Sequence, residues 1–279
     1  KAILEKRFSL TSDCVVVRSM IPGIRVATVK GSEANMKVTN PIDLFIAEKL
    51  LQEANQIAFS IEDDLNFLKN KNIVIFGGSS GIGLEIKNAA LLLGANVEIA
   101  SRKFNNVDIT KPDTINQYLE KINSKHGKID YIINTAGLLI KKPIDAISME
   151  EMHSMIGINY TGAVNVAIAA KPYLVKSSGM LLNFTSSSYT RGRPLYALYS
   201  SSKAAIVNFT QALADEWSVE NIHVNCINPE RTATPMRMAN FGLEPNELLL
   251  DPKDVAMTSL KVLGSKKTGM IVDVRKDGR

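Results

Sequence analysis

The sequence is short of the residues that hold disulfide-rich or metal-dependent folds together. It has two cysteines, Cys14 and Cys226, in apolar, strand-like runs far apart in the chain. That is too few for a disulfide framework, and a reduced, cytoplasmic protein is the simpler reading. Each cysteine reads as a small buried hydrophobe. The three histidines, His126, His153 and His223, have no cysteine or carboxylate at ligand spacing, so no metal site is expected. No apolar run is long enough to cross a bilayer, and the N-terminus lacks the pattern of a signal peptide. Charge of one sign is also scarce: 33 Lys and Arg face 28 Asp and Glu, a net charge of +5, with no block of like charges. A nucleic-acid partner would need a basic stripe, so none is expected; the small excess implies mild attraction for anionic small molecules. A starting Met is lacking too. The chain opens at Lys1 in what reads as the end of a helix (1–8), and a piece of a longer polypeptide is expected.

What is present is the composition of a globular protein, 45% apolar and 22% charged over 279 residues, enough for one large domain or one domain plus a fragment. Residues 1–54 read as a small, incomplete α/β segment. It has strands at 14–17 and 24–29, an extended stretch at 36–38, and a helix signalled by Asn40-Pro41 and by Ile42, Phe45, Ile46 and Leu50 on one face. Residues 55–70 form a polar connector. From 71 to 279 the pattern alternates, with strands at 72–76, 96–100, 131–134, 179–185, 222–227 and 269–273. Helices are expected between them at 82–93, 113–126, 149–175, 199–219 and 251–263. Apolar strands separated by such helices imply a doubly wound parallel sheet of Rossmann type, covered on both faces.

The first of these strands runs into Gly77-Gly-Ser-Ser-Gly81-Ile-Gly83 and then a helix. Glycines there let the backbone turn tightly and approach a pyrophosphate, which the helix N-terminus meets with free N–H groups. At the tip of the next strand, where an NAD site places a carboxylate, stand Ser101-Arg102-Lys103. A guanidinium there suits a 2′-phosphate, so NADPH is favoured and Arg102 is the better candidate. Tyr199 and Lys203 lie four apart on one helix face. An ammonium beside a phenol is expected to lower the phenol's pKa and fit it to protonate a carbonyl. Ser186, at the end of a strand upstream, can hold that carbonyl. Arg191 and Arg193, in the loop before Tyr199, and Arg231 and Arg237, flanking Thr234, are candidates for an anionic group on the substrate.

These motifs resemble the short-chain dehydrogenase/reductase family from about residue 71 to 273. Gly77, Gly81 and Gly83 match its glycine motif, with Phe76 in place of the usual Thr. Asn134-Thr-Ala-Gly137 matches its Asn-Asn-Ala-Gly. The resemblance implies a catalytic set of Asn159, Ser186, Tyr199 and Lys203, with Asn159 anchoring a proton-relay water. It implies a cofactor site built from Gly77, Ser79, Ser80, Gly81, Ile82 and Gly83, from Ser101, Arg102, Asp108 and Ile109, and from Asn134, Ala136 and Gly137. Tyr199, Lys203, Pro229, Thr232 and Thr234 complete that site. Glu230 stands where the family has a Gly, a departure that leaves the backbone path after the strand at 222–227 open. Residues 31–39 and the helix after them resemble the C-terminal end of cytidylyltransferases of the methylerythritol-phosphate type, with Lys37 matching the substrate-phosphate lysine but no CTP loop. Together the halves resemble bifunctional enzymes that make CDP-ribitol, a precursor of cell-surface polymers. The resemblance implies reduction of D-ribulose 5-phosphate to D-ribitol 5-phosphate by a cytoplasmic homo-oligomer, dimer or tetramer, without cytidylyltransferase activity in this fragment. The alternatives are a reductase of an acyl thioester or unphosphorylated sugar, or a non-catalytic cofactor-binding scaffold.

Overall fold

Cys14-Val15-Val16-Val17, expected as a strand, lies inside a helix, α1 (Asp13–Met20). β-branched residues prefer strands only weakly, and here Arg18 in the last turn complements the helix dipole. Cys14 is exposed on this helix, contrary to expectation, whereas Cys226 is buried. The computed structural model describes residues 13–21, 23–25, 27, 29–32, 35–47, 50 and 65–276. The described residues of the expected strand at 24–29 have no regular structure, and 35–39 have none either. A second helix, α2 (41–47), begins at Pro41 as expected. Its start is held by Asp43, whose carboxylate accepts the backbone N–H groups of Thr39 (2.8 Å) and Asn40 (2.7 Å). The helix end expected at 1–8 and the connector's residues 55–64 lie outside the described residues. Contacts divide the chain into two units, residues 1–51 and 52–279.

The second unit is a six-stranded parallel sheet in the order β2-β1-β3-β4-β5-β6. The strands are β1 (Asn72–Phe76), β2 (Asn96–Ala100), β3 (Tyr131–Asn134), β4 (Met180–Phe184), β5 (His223–Pro229) and β6 (Ile271–Val274). Crossovers are made by α3 (Gly81–Leu92), then by the short α4 (Arg102–Asn105) with α5 (Pro112–His126), then by α6 (Met149–Ile156) and α7 (Gly162–Ser177). The remaining helices are α8 (Ala197–Trp217), α9 (Pro235–Phe241) and α10 (Pro252–Leu263). Every residue of β1 and β4 is buried, as strands covered on both faces require. Alternate residues serve the two faces. Val74, Ile132, Leu181 and Val224 pack with α5, α7 and α8, while Ile73, Ile133, Leu182 and Ile227 pack with α3 and α10.

Two departures bear on the site. The helix expected at 149–175 is broken by a π-helical turn, Gly157–Thr161, in which the Gly162 N–H reaches the Gly157 carbonyl five residues back. Helices α4 and α9 were not expected. Because the chain passes from β1 outward to β2 and then back to β3, the strand order reverses beside β1. The C-terminal ends of the central strands open there into a crevice. Among the described residues no helix is long and apolar enough to cross a membrane.

Ile133 on β3 is fully buried in the middle of this sheet. Ile133→Ala should cost about 3 kcal/mol through lost burial and the cavity left behind, read as a lower urea midpoint with an unchanged slope.

Candidate active site

The crevice is a single cavity of about 720 Å³ whose lining runs from the glycine loop to Phe241. Its floor is set by how closely the loop approaches the segment after β3. Gly77 has a φ of +82°, and a Cβ on it would lie 2.6 Å from the Ala136 nitrogen. A Cβ on Gly83 would meet the Thr135 hydroxyl and the Gly77 carbonyl. Phe76 brings no hydroxyl to this junction; Thr135 does, donating to the Phe76 carbonyl at 2.9 Å. Asn134 stays beneath, buried, its side-chain oxygen accepting the Ala136 N–H. The glycine-loop residues Gly77, Ser79, Ser80, Gly81, Ile82 and Gly83 all line the cavity, and so do Ala136 and Gly137.

At one end stand Ser101, Arg102, Asp108 and Ile109. Ser101 caps α4, accepting the Phe104 N–H, so Arg102 is the first residue of a helix and is exposed at the rim. Burial works to raise the Asp108 pKa, but hydrogen bonds from Thr110 and the charges of Arg102 and Lys111 outweigh it and hold the carboxyl below its usual range. The structure thus brings Arg102 and Asp108 into one electrostatic neighbourhood.

In the middle, Ser186, Tyr199 and Lys203 come together at the ends of β4 and α8. Lys203 is buried, and its ammonium donates to the Phe184 carbonyl at 2.9 Å. Burial pushes its pKa down to about 8. Tyr199 departs from expectation. Burial raises its phenol above the ordinary value, and what opposes this is the hydrogen bond with Ser186 and the charge of Arg237, not Lys203. The ammonium lies 5.8 Å from the centre of the Tyr199 ring and is turned to Phe184, so it does little for the phenol. Asn159 does not line the cavity. Its amide is spent on Leu138, accepting that residue's N–H and donating to its carbonyl, each at 2.8 Å.

Pro229, Thr232 and Thr234 line the wall after β5. Glu230, where a Gly was to be expected, accepts the Lys276 N–H, and its own N–H reaches Val274. The segment is then pinned by a parallel bridge between Thr232 and Leu250, with Leu250 N–H on the Arg231 carbonyl (2.7 Å) and Ala233 N–H on the Leu250 carbonyl (3.0 Å). Thr234 caps α9 and lies against Gly81.

Of the four candidate arginines, Arg193, Arg231 and Arg237 line the cavity; Arg191 lines a shallower hollow beside it. Sequence reasoning missed the aromatic wall here. Tyr196 meets Tyr199 edge-on at 6.4 Å and Phe241 at 5.9 Å, and the Arg237 guanidinium stacks on Phe241 at 3.7 Å. Thr234-Pro235, a cap followed by proline, is the signal that could have found α9, the same signal that located α2. No group of three or more His, Cys, Asp or Glu able to hold a metal ion occurs among the described residues.

A model of the short chain dehydrogenase family matches residues 101–242. The chain is 48% identical over 269 residues to the bifunctional ribulose 5-phosphate reductase/CDP-ribitol pyrophosphorylase Bcs1 of Haemophilus influenzae, covering 95% of this chain and 56% of that enzyme. It therefore spans little more than half the length of that relative. It is 30% identical over 241 residues to the 3-oxoacyl-(acyl-carrier-protein) reductase FabG of Chlamydia muridarum, covering 75% of this chain and 97% of that one. Among solved structures it is similar to the 3-ketoacyl-(acyl-carrier-protein) reductase of Brucella melitensis complexed with NADH. The TM-score is 0.70 and the identity 25%, covering 74% of this chain and 97% of that one.

The buried ammonium yields a prediction. An unfolded chain keeps Lys203 protonated up to about pH 10.5, whereas the native state releases the proton from about 8. The unfolded state therefore binds more protons across that window, and the lysine's destabilising contribution is relieved as pH rises. Relative to wild type, Lys203→Met should be most stable below pH 8 and should lose that advantage steadily up to pH 10.5. Urea unfolding of both proteins across this range is the check; a constant difference would mean that the lysine titrates normally.

Proposed function

The chain belongs to the short-chain dehydrogenase family, and from that premise we propose that it uses NADPH to reduce D-ribulose 5-phosphate to D-ribitol 5-phosphate. The observation that carries this reading is the convergence, in one cavity, of the glycine loop, the Ser186–Tyr199 pair and the three arginines Arg193, Arg231 and Arg237. The identity to Bcs1 along nearly the whole chain supports the substrate.

The residues present fit the cofactor. Without a Cβ at Gly77 and Gly83 the loop packs directly on Thr135 and Ala136, and the N-terminus of α3 faces the cavity through Ser80 and Gly81, where a pyrophosphate can be met by backbone N–H groups. Arg102 and Ser101 would take the 2′-phosphate, Asp108 and Ile109 the adenine, Lys203 the nicotinamide ribose, and Thr232 and Thr234 the carboxamide end. When bound, NADPH supplies the hydride that adds to C2 of the sugar. Ser186 hydrogen-bonds the ketone oxygen and Tyr199 gives it a proton, so the carbonyl becomes an alcohol as its oxygen gains charge. The phenol is returned its proton through water. With its amide committed to Leu138, Asn159 would hold that water by its main chain, within the π-helical turn. Burial of Tyr199 favours the protonated phenol, the form a reductase needs.

In this proposal residues 71–279 are the reductase domain, 55–70 a linker, and 1–54 the end of a cytidylyltransferase-like domain that catalyses nothing by itself. A second reading, a 3-oxoacyl thioester reductase, draws on the likeness to FabG. NADPH oxidation assayed with ribulose 5-phosphate, ribulose and a 3-oxoacyl thioester separates the readings. Turnover confined to the thioester defeats the sugar phosphate, and turnover with none of the three favours a scaffold.

Two substitutions test the assigned roles. Tyr199→Phe keeps the ring and removes the acid, so turnover should fall by about a hundredfold or more with NADPH binding retained. Activity within a few-fold of wild type would defeat the role. Arg102→Ala should weaken NADPH binding by about 1–2 kcal/mol, at the low end for a charge-assisted hydrogen bond because the residue is exposed. NADH binding, measured in parallel, should hardly move; equal losses would place the 2′-phosphate elsewhere.

A further inference from the structure

We propose that Glu244 is a positioning residue for the substrate's phosphate, holding the Arg237 guanidinium from outside the cavity so that its free edge is presented inside. This rests on the reading of the substrate as a phosphorylated ketose, and deepens it by naming the seat.

The pair is bidentate. Arg237 Nε donates to Glu244 Oε2 at 2.6 Å and Nη2 to Oε1 at 2.8 Å. The side chains are 18% and 20% exposed, so water screens the pair only in part. Arg237 and Phe241 line the cavity, whereas Glu244 does not. The carboxylate therefore grips the cation from behind and leaves the substrate's space open. A guanidinium has five N–H donors. This grip uses the Nε hydrogen and one on Nη2, so both Nη1 hydrogens and the second on Nη2 remain, a fork that suits two oxygens of a phosphate.

The guanidinium is fixed in a second direction by its stack on Phe241, a ring that Lys141 also approaches at 4.4 Å. Phe241 leads through Tyr196 to Tyr199, so the cation's position is tied by contiguous rings to that of the reacting phenol. A sugar whose phosphate is held at Arg237 is thereby set at a defined reach from the proton donor. The chain geometry that allows the grip is local. Helix α9 ends at Phe241, and Gly242, with a φ of +75°, turns the backbone so that Glu244 comes back to Arg237.

Charge selects the class of anion. The hydrogen bonds from Arg237 keep Glu244 ionised, helped by the charges of Arg237, Arg231 and Lys141. Those cations outnumber the carboxylate, so the neighbourhood of Arg237 stays net positive and suits an anionic group such as a phosphate monoester.

The test is steady-state kinetics of the enzyme with NADPH on ribulose 5-phosphate and on ribulose, for wild type, Glu244→Gln, Arg237→Ala and the double variant. Glu244→Gln should raise KM for ribulose 5-phosphate about tenfold with little change in kcat, the pattern for lost uniform binding, so that preference for the phosphate ester over ribulose falls by the same factor. The double variant should be no worse than Arg237→Ala alone, because Glu244 acts through that residue. Glu247→Gln, an exposed neighbour outside the site, should leave both sugars unchanged. Equal losses on both sugars, or additive losses in the double variant, would overturn the proposal. If wild type turns over no ketose phosphate, the substrate reading fails, and calorimetric titration of inorganic phosphate into the enzyme–NADP⁺ complex decides the seat by itself. Binding that weakens about tenfold in Glu244→Gln keeps the proposal, while no binding, or equal binding in both proteins, removes it.

Discussion

The close approach of the loop after β1 to the segment after β3 is the constraint on which the rest depends. Where a parallel sheet reverses its strand order, two neighbouring strands send their chains to opposite faces, and a gap opens between them. Here the gap is narrowed until Gly77 and Gly83 lie against Thr135 and Ala136, a distance that no side chain would permit. The Thr135 hydroxyl then ties the two loops through the Phe76 carbonyl. Asn159, reaching from the π-helical turn to both backbone groups of Leu138, continues the same seam. The floor of the cavity is thus made of backbone held by three polar side chains, Asn134, Thr135 and Asn159.

The walls are graded in charge. Arg102 marks one end, Arg193, Arg231 and Arg237 the other, and between them Lys203 is buried deeply enough that its ammonium is destabilised. A modest overall charge of +5 therefore conceals a cavity whose cations are concentrated at its two ends, where the proposed function would seat one phosphate of the cofactor and one of the substrate. The same burial that depresses Lys203 favours the protonated Tyr199, so one cause shifts phenol and ammonium in opposite directions.

How much of this was legible in the sequence depends on the scale of the interaction. The six strands and the glycine loop were readable because apolar β-branched runs and glycines report directly on burial and backbone space, and the matches at β1, β2 and β3 agree residue for residue. Helix α1 was not, since Cys14-Val15-Val16-Val17 favours a strand by type and only a weak preference opposes it. The residue types at Ser186, Tyr199 and Lys203 foretold their convergence. Which way the ammonium turns is decided by the Phe184 carbonyl, a backbone group with no sequence signature. Asn159 could be picked out, but not that its amide would be consumed by Leu138, because that depends on a π-helical turn. Arg237 was visible, while Glu244 was not: its partnership exists only after α9 forms and Gly242 bends the chain.

The bridge between Thr232 and Leu250 separates two responsibilities of the molecule. The stretch from Ala233 to Leu249 leaves the sheet and returns to it at this bridge, with Lys276 also donating to the Asn246 and Leu249 carbonyls, so it behaves as a loop on a fixed base. A loop on such a base can change length or sequence without altering the register of β5 and β6. The aromatic wall, Arg237 and Glu244 all belong to that excursion or face it. Divergence of substrate among descendants of such a domain then has an inexpensive route: the excursion beyond Thr234 is exchanged, and Ser186, Tyr199 and Lys203 are inherited with the sheet and α8.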